Sequence, residues 1–161
     1  MAAPDSAVPT PDNVRMVIRQ LVGRDVTVKD GKPLVLGPST RGYWGAYRDD
    51  SGALAVACVM DLPLAANIAA ALAMMPMGQV NESVRAGALN PGLLDNLREV
   101  MNVAASIFNR PGRPHVSLRE VQPCPPALPA DVTGLLGKPN FALHLDVAIA
   151  GYGGGRLSLV G

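Results

Sequence analysis

The sequence is poor in cysteine, histidine and charged residues, and each shortage excludes a class of protein. Two cysteines, Cys58 and Cys124, cannot form the disulfide framework of a small secreted domain. Only His115 and His144 could join them, and because no thiols are clustered, the sequence lacks the ligand set of a zinc site. Charged residues make up 17% of the chain, which excludes a disordered acidic or basic protein.

The charges are also nearly balanced, because 14 Lys and Arg residues face 13 Asp and Glu residues, for a net charge of +1. Such a chain has no long-range field to attract DNA, RNA or anionic lipid, so we expect no nucleic-acid partner. Residues 1–6 lack a basic leader followed by an apolar core, so we expect no signal peptide and a cytoplasmic location. The apolar run over 53–77 is interrupted by Asp61 and Pro63, which predicts a buried strand and a helix without membrane insertion.

The length of 161 residues predicts one domain over 10–161, preceded by a flexible lead-in over 1–9. Helices are predicted from Pro11 to the vicinity of Gly23, over 64–75, and from Asn90 to about Asn109. Alternating apolar residues predict a strand over 141–150 that forms a hairpin with 156–160 across a glycine-rich turn.

Further strand patterns complete the expected fold. Residues 42–47 and 53–60 flank a turn and predict a second hairpin, 115–121 predicts a strand, and 26–36 predicts a hairpin-like edge. Residues 77–89 and the proline-rich stretch from Pro123 to Pro129 are expected to be loops, the alternative for the latter being a polyproline-type ligand. The sum is an α+β fold, an antiparallel sheet of hairpins covered on one face by long helices.

The helix that begins after Asn90 has two distinct faces. Asp95, Glu99 and Asn102 share one face, and Ser106 continues their polar row. The opposite face is an apolar stripe formed by Leu97, Val100, Met101, Ala104, Ile107 and Phe108. The stripe would fix the helix to the sheet and present the carboxylates and the amide on a rigid element, as a functional site requires. The alternative is the ordinary solvated face of an amphipathic helix.

The spacing Asp95-x3-Glu99-x2-Asn102 is followed after twenty-two residues by Pro125. From background residue frequencies, such a pattern arises by chance in about one chain in two hundred. It resembles the motif of the CheC/CheX/FliY family of chemotaxis phosphatases, which is Asp or Ser, x3, Glu, x2, Asn, x22, Pro. The order of predicted elements from about residue 10 onward is similar as well.

The family has members with one motif and members with two. The first helix of this chain places Asp12, Met16 and Arg19 at the equivalent spacing, so the Glu and the Asn are missing there. The closer resemblance is therefore to the one-motif, CheX-like members. Two positions differ from the family pattern, because Met101 and Ser106 stand where family members commonly have glycine.

The resemblance implies a phosphatase for the aspartyl phosphate of a CheY-like response regulator. It implies that Asn102 orients the attacking water, Glu99 pairs with a lysine of the regulator, and Asp95, Ser106 and Pro125 border the docking face. The protein would need no cofactor of its own, because Mg²⁺ would be bound by the regulator, and no metal ligands are expected in this chain.

Two other interpretations remain open at this stage. The protein could be a catalytically silent homologue that binds a regulator or a flagellar-switch component, or an unrelated α+β domain with a chance motif.

The low charge and the cluster of Met74, Met75 and Met77 also suggest a homodimer.

Overall fold

The computed structural model describes residues 8–161, so most of the expected lead-in over 1–9 lies outside the described residues. The helices are α1 (Pro11–Val22), α2 (Leu62–Leu72), α3 (Met77–Ala86), α4 (Pro91–Ala104) and α5 (Ala130–Gly137), and a 3-10 turn over Ala105–Ile107 follows α4. The strands are β1 (Val26–Asp30), β2 (Gly42–Asp49), β3 (Leu54–Asp61), β4 (Val116–Cys124), β5 (Ala142–Ile149) and β6 (Gly154–Val160).

The six strands form one sheet in the order β1-β5-β6-β3-β2-β4, and every neighbouring pair is antiparallel. The predicted hairpins are present, since β2 pairs with β3 and β5 pairs with β6. Gly151 turns the second hairpin with φ +82°, a conformation that glycine adopts without steric cost. Strands β1 and β4 are the two edges of the sheet, so β4 has a neighbour on one side only.

Helices α1 to α4 cover one face of the sheet, as predicted, and bury the larger apolar cluster. Thr10 begins α1 by accepting a hydrogen bond from the Asn13 amide, and Gly23 ends it with φ +65°. Helix α2 is buried on almost every side, because its surface consists largely of alanines that allow α1, α3 and α4 to approach closely.

The opposite face of the sheet has a smaller apolar cluster of its own. Trp44 and Val59 point to this face, and Val132 of α5 packs against it together with Leu34 and Leu36. Side chains alternate between the faces along each strand, so β2 supplies Tyr43 to the larger cluster and Trp44 to the smaller one.

One predicted loop contains a helix, and a helix that was not predicted follows the other predicted loop. Residues 77–89 were expected to be a loop, but most of them form α3 (Met77–Ala86). Val80 and Ser83 are buried on the side of this helix that packs against α2, and Gly87 ends the helix. The proline-rich stretch ends at Pro129, the N-cap of α5, so the residues after it are free to form a helix that buries Val132.

Three boundaries also differ from expectation. Residues 26–36 contain a single edge strand, β1 (Val26–Asp30), and the chain after it leaves the sheet and buries Leu34 and Leu36 on the opposite face. Helix α4 ends at Ala104, before the expected end near Asn109, because the backbone tightens into the 3-10 turn. Strand β4 extends to Cys124 and includes Pro123, which an edge strand tolerates because one side needs no amide donors.

The methionines that suggested a homodimer are mostly packed within the protein. Met74 is 77% exposed, whereas Met75 and Met77 pack partly against the larger cluster. Homodimerisation therefore stays a prediction, which sedimentation at tens of micromolar protein tests. Among the described residues, no helix is long and apolar enough to cross a membrane.

Helix α4 is tied to the sheet by the fully buried Tyr47 of β2, whose hydroxyl donates to the Met101 carbonyl at 2.5 Å. Burial raises the pKa of Tyr47 well above its ordinary value, so the hydroxyl keeps its proton. The Ala105 amide, which would bond the Met101 carbonyl in a continued α-helix, bonds the Asn102 carbonyl instead. Tyr47 thus supplies a donor where the helix ends.

We expect Tyr47→Phe to lower the free energy of unfolding by about 1–2 kcal/mol, because a buried carbonyl loses its donor. The melting temperature should fall by about 2–8 °C. Tyr152→Phe is the matched control, since the Tyr152 hydroxyl donates to the Met75 carbonyl in a half-buried position where water can replace it. Equal losses in the two variants would contradict this role for Tyr47.

Candidate functional site

Helix α4 fixes the three central residues of the predicted site on one exposed face. Asn90 begins the helix by accepting a hydrogen bond from the Leu93 amide at 2.9 Å. Asp95, Glu99 and Asn102 are all exposed. The opposite side of the helix is fixed to the protein core by Leu93, Leu97, Val100 and Met101.

These residues form one wall of a groove of about 380 Å³ between α4 and the edge strand β4. Arg98 lies on the same wall as Asp95, Glu99 and Asn102, and residues 118–121 form the facing wall. Because no strand within residues 8–161 lies on the outer side of β4, the groove opens to solvent along the edge of the sheet. A protein surface could therefore reach the carboxylate and the amide directly.

Two of the groove's carboxylates have partners inside the protein. Arg98 contacts Asp95, with 3.5 Å between Nη1 and Oδ1. On the facing wall, Glu120 lies 3.7 Å from Arg48. Within residues 8–161, the side chains of Glu99 and Asn102 have no hydrogen bond or ion pair, so both remain available to a bound molecule.

The remaining two predicted site residues lie away from this groove. Ser106 is exposed in the 3-10 turn that follows α4 and does not line the groove. Pro125 is exposed just beyond the end of β4 and lines an apolar cavity of about 640 Å³ on the opposite face of the sheet. The geometry thus joins Asp95, Glu99 and Asn102 and separates them from Ser106 and Pro125.

Three positions of the site were not predicted from the sequence: Arg98, Arg119 and Gly45. Arg98 could have been found, because it lies three residues after Asp95 on the same helix. A Cβ on Gly45 would lie 2.7 Å from Met101 Sδ, so glycine at this position in β2 allows α4 to approach the sheet. Neither Gly45 nor Arg119 gives a local signal, because both positions matter only through the pairing of distant strands.

Within residues 8–161 both cysteines are buried, and the polar side chains form no metal-binding cluster. Cys58 is buried, and burial raises the pKa of its thiol to about 12, which keeps it protonated and unreactive. Among residues 8–161, no group of His, Cys, Asp and Glu side chains is arranged to hold a metal ion. The groove can instead hydrogen-bond a water molecule through an amide and pair a cation with a carboxylate.

Solved structures with the same architecture were found by comparison. FliY from Thermotoga maritima aligns with a TM-score of 0.58 and 14% identity, over 99% of this chain and 91% of its own. A chain of a FliM–SpeE complex from H. pylori aligns with a TM-score of 0.61 and 8% identity, over 93% of this chain and 80% of its own. A CheX–CheY–BeF3–Mg²⁺ complex from Borrelia burgdorferi aligns with a TM-score of 0.52 and 13% identity, over 92% of each chain.

The chain has the fold of the CheC/CheX/FliY family. This fold agrees with the α+β architecture expected from the sequence. The assignment depends on structural similarity, because no family model and no curated protein sequence matches the chain. At 8–14% sequence identity, these similarities show a common backbone fold. A function for this protein must therefore be argued from the residues that line its groove.

We expect Asn102→Ala and Glu99→Ala each to change the free energy of unfolding by less than about 0.5 kcal/mol, because both side chains are exposed and unbonded. Asn96→Ala on the same helix is the contrast. The half-buried Asn96 amide donates to the Ala69 carbonyl at 3.0 Å, and its loss should cost about 1 kcal/mol. Urea titrations of the three variants measure the difference, and a large loss for Asn102→Ala would instead indicate a structural role.

Proposed function

We propose that this protein accelerates hydrolysis of the aspartyl phosphate of a CheY-like response regulator. The observation that supports this most is the groove face of α4, where Glu99 and Asn102 lie one turn apart, exposed and without partners among the described residues. Their spacing matches the phosphatase motif, and the backbone has the CheX/FliY fold. One of the similar structures holds CheX together with CheY, beryllofluoride and Mg²⁺.

The chemistry needs few groups from the phosphatase. Hydrolysis of an acyl phosphate is thermodynamically favourable, so catalysis consists mainly of placing water in line with the departing carboxylate. The Asn102 amide can donate to and accept from that water, and it has no charge to repel the phosphoryl oxygens. Glu99 would pair with a lysine of the regulator, and Mg²⁺ would be bound by the regulator.

The two departures from the family pattern do not obstruct the proposed docking face. Met101 is completely buried beneath α4, so its side chain points away from the groove. Ser106 is small and lies in the 3-10 turn outside the groove. Asp95, held by Arg98, would border the docked regulator, and the protein would act in the cytoplasm, where response regulators function.

A second candidate function is binding without turnover. The fold is shared with FliM, whose structures include complexes with SpeE and with FliG. A protein of this fold could therefore act as an interaction partner of a regulator or of a flagellar-switch component. Phosphate release distinguishes the two candidates, because the second predicts regulator binding with an unchanged rate of dephosphorylation.

We expect Asn102→Ala to reduce the accelerated rate of dephosphorylation by about a hundred-fold, because the attacking water loses its positioning group. The assay is phosphate release from phosphorylated CheY-like regulators of the same genome. Asn81→Ala is the matched control, since Asn81 is an exposed helical asparagine of α3 outside the groove. An Asn102→Ala variant as fast as the parent protein would show that the catalytic assignment is wrong.

We expect Glu99→Ala to weaken binding of the regulator by about ten-fold, because an intermolecular ion pair is lost. The loss should shrink as salt concentration rises, since salt screens the pair in the parent protein. Glu82→Ala in α3 is the matched control, because Glu82 is exposed and lies outside the groove. Affinity measured at two salt concentrations checks this, and a salt-independent loss would argue against an ion pair.

A further inference from the structure

Arg119 occupies an irregular position in β4. Ala46 pairs with Glu120 and Tyr47 pairs with Leu118, so Arg119 is an extra residue without a partner on β2. Such a bulge in an edge strand redirects the side chain of the added residue. Here the bulge lies in the wall of the groove that faces α4, and Arg119 lines that groove opposite Glu99 and Asn102.

The Arg119 side chain is positioned by contacts outside α4. Its Nε donates to the Ser117 hydroxyl at 3.0 Å, and its Nη2 lies 3.5 Å from the Asp49 carbonyl oxygen. Both acceptors are neutral, so they orient the guanidinium without neutralising it. The other guanidinium hydrogens, including both on Nη1, remain available to a ligand.

Two charged side chains of opposite sign in the groove form no ion pair within residues 8–161. Asp95 is paired with Arg98, and Glu120 lies 3.7 Å from Arg48, which also pairs with Asp131 at 2.7 Å. Within the described part of the chain, Glu99 and Arg119 have no ion-pair partner, and they project from opposite walls of the same groove. A partner that fits this arrangement must present a cation to the helix and an anion to the strand.

We propose that Arg119 recognises the phosphoryl group of the docked regulator and thereby makes binding selective for the phosphorylated form. This inference rests on the proposed function, which places the aspartyl phosphate against Asn102. The planar guanidinium suits phosphate oxygens, because it donates several hydrogen bonds in a fixed geometry. Glu99 then contacts the regulator in both of its states, whereas Arg119 gains its ligand only on phosphorylation.

The test compares Arg119→Gln and Arg119→Lys with the parent protein. Arg85→Gln is the matched control, because Arg85 is an exposed arginine of α3 outside the groove. Affinity is measured for each CheY-like regulator of the same genome with Mg²⁺ alone and with Mg²⁺ and beryllofluoride, which mimics the phosphorylated aspartate. Melting curves confirm that each variant is folded.

We expect the parent protein and Arg85→Gln to prefer the beryllofluoride form. Arg119→Gln should bind that form about ten-fold more weakly and bind the unmodified regulator nearly unchanged, and Arg119→Lys should fall between. An undiminished preference in Arg119→Gln would overturn the inference. A parent protein that binds selectively but releases no phosphate would refute the phosphatase function alone, whereas absence of binding to either form would overturn both.

Discussion

The contact between α4 and β2 is the constraint on which the candidate site depends. Tyr47 donates a buried hydrogen bond to the Met101 carbonyl, and Gly45 leaves room for the Met101 side chain beneath the helix. Asn102 is the next residue along the chain, and its side chain is exposed in the groove. The position of the proposed catalytic amide is therefore set by the buried contacts of the residue before it, while the amide itself stays exposed.

The edge position of β4 determines what can reach that amide. A central strand would be covered by neighbours, whereas β4 leaves one side of the groove open. The same edge tolerates Pro123 and the bulge at Arg119, both of which would disrupt hydrogen bonding in the middle of a sheet. The groove therefore lies between a helix anchored in the core and a strand whose outer side is open.

The sequence predicted the hairpins, the first helix and the exposed motif face of α4, because these depend on local periodicity, caps and turns. It missed α3 because the helix has no side-chain N-cap and is anchored by the distant helix α2. It missed α5 because the prolines before Ala130 suggested that the irregular stretch continues. It could not identify Arg119, because the position of that residue depends on the register between β4 and β2. It also could not separate Pro125 from the site, because this depends on the face of the sheet toward which the chain turns after β4.

Helix α2 has a consequence for how proteins of this architecture can diverge. Its buried alanines, among them Ala65, Ala66, Ala69 and Ala70, sit where larger side chains would force the surrounding helices apart. Inherited change at the centre is therefore restricted to residues of similar size, whereas the outer surface of α4 contributes little to folding. A substitution on the exposed face of α4 can therefore change what the groove binds while the buried scaffold stays the same.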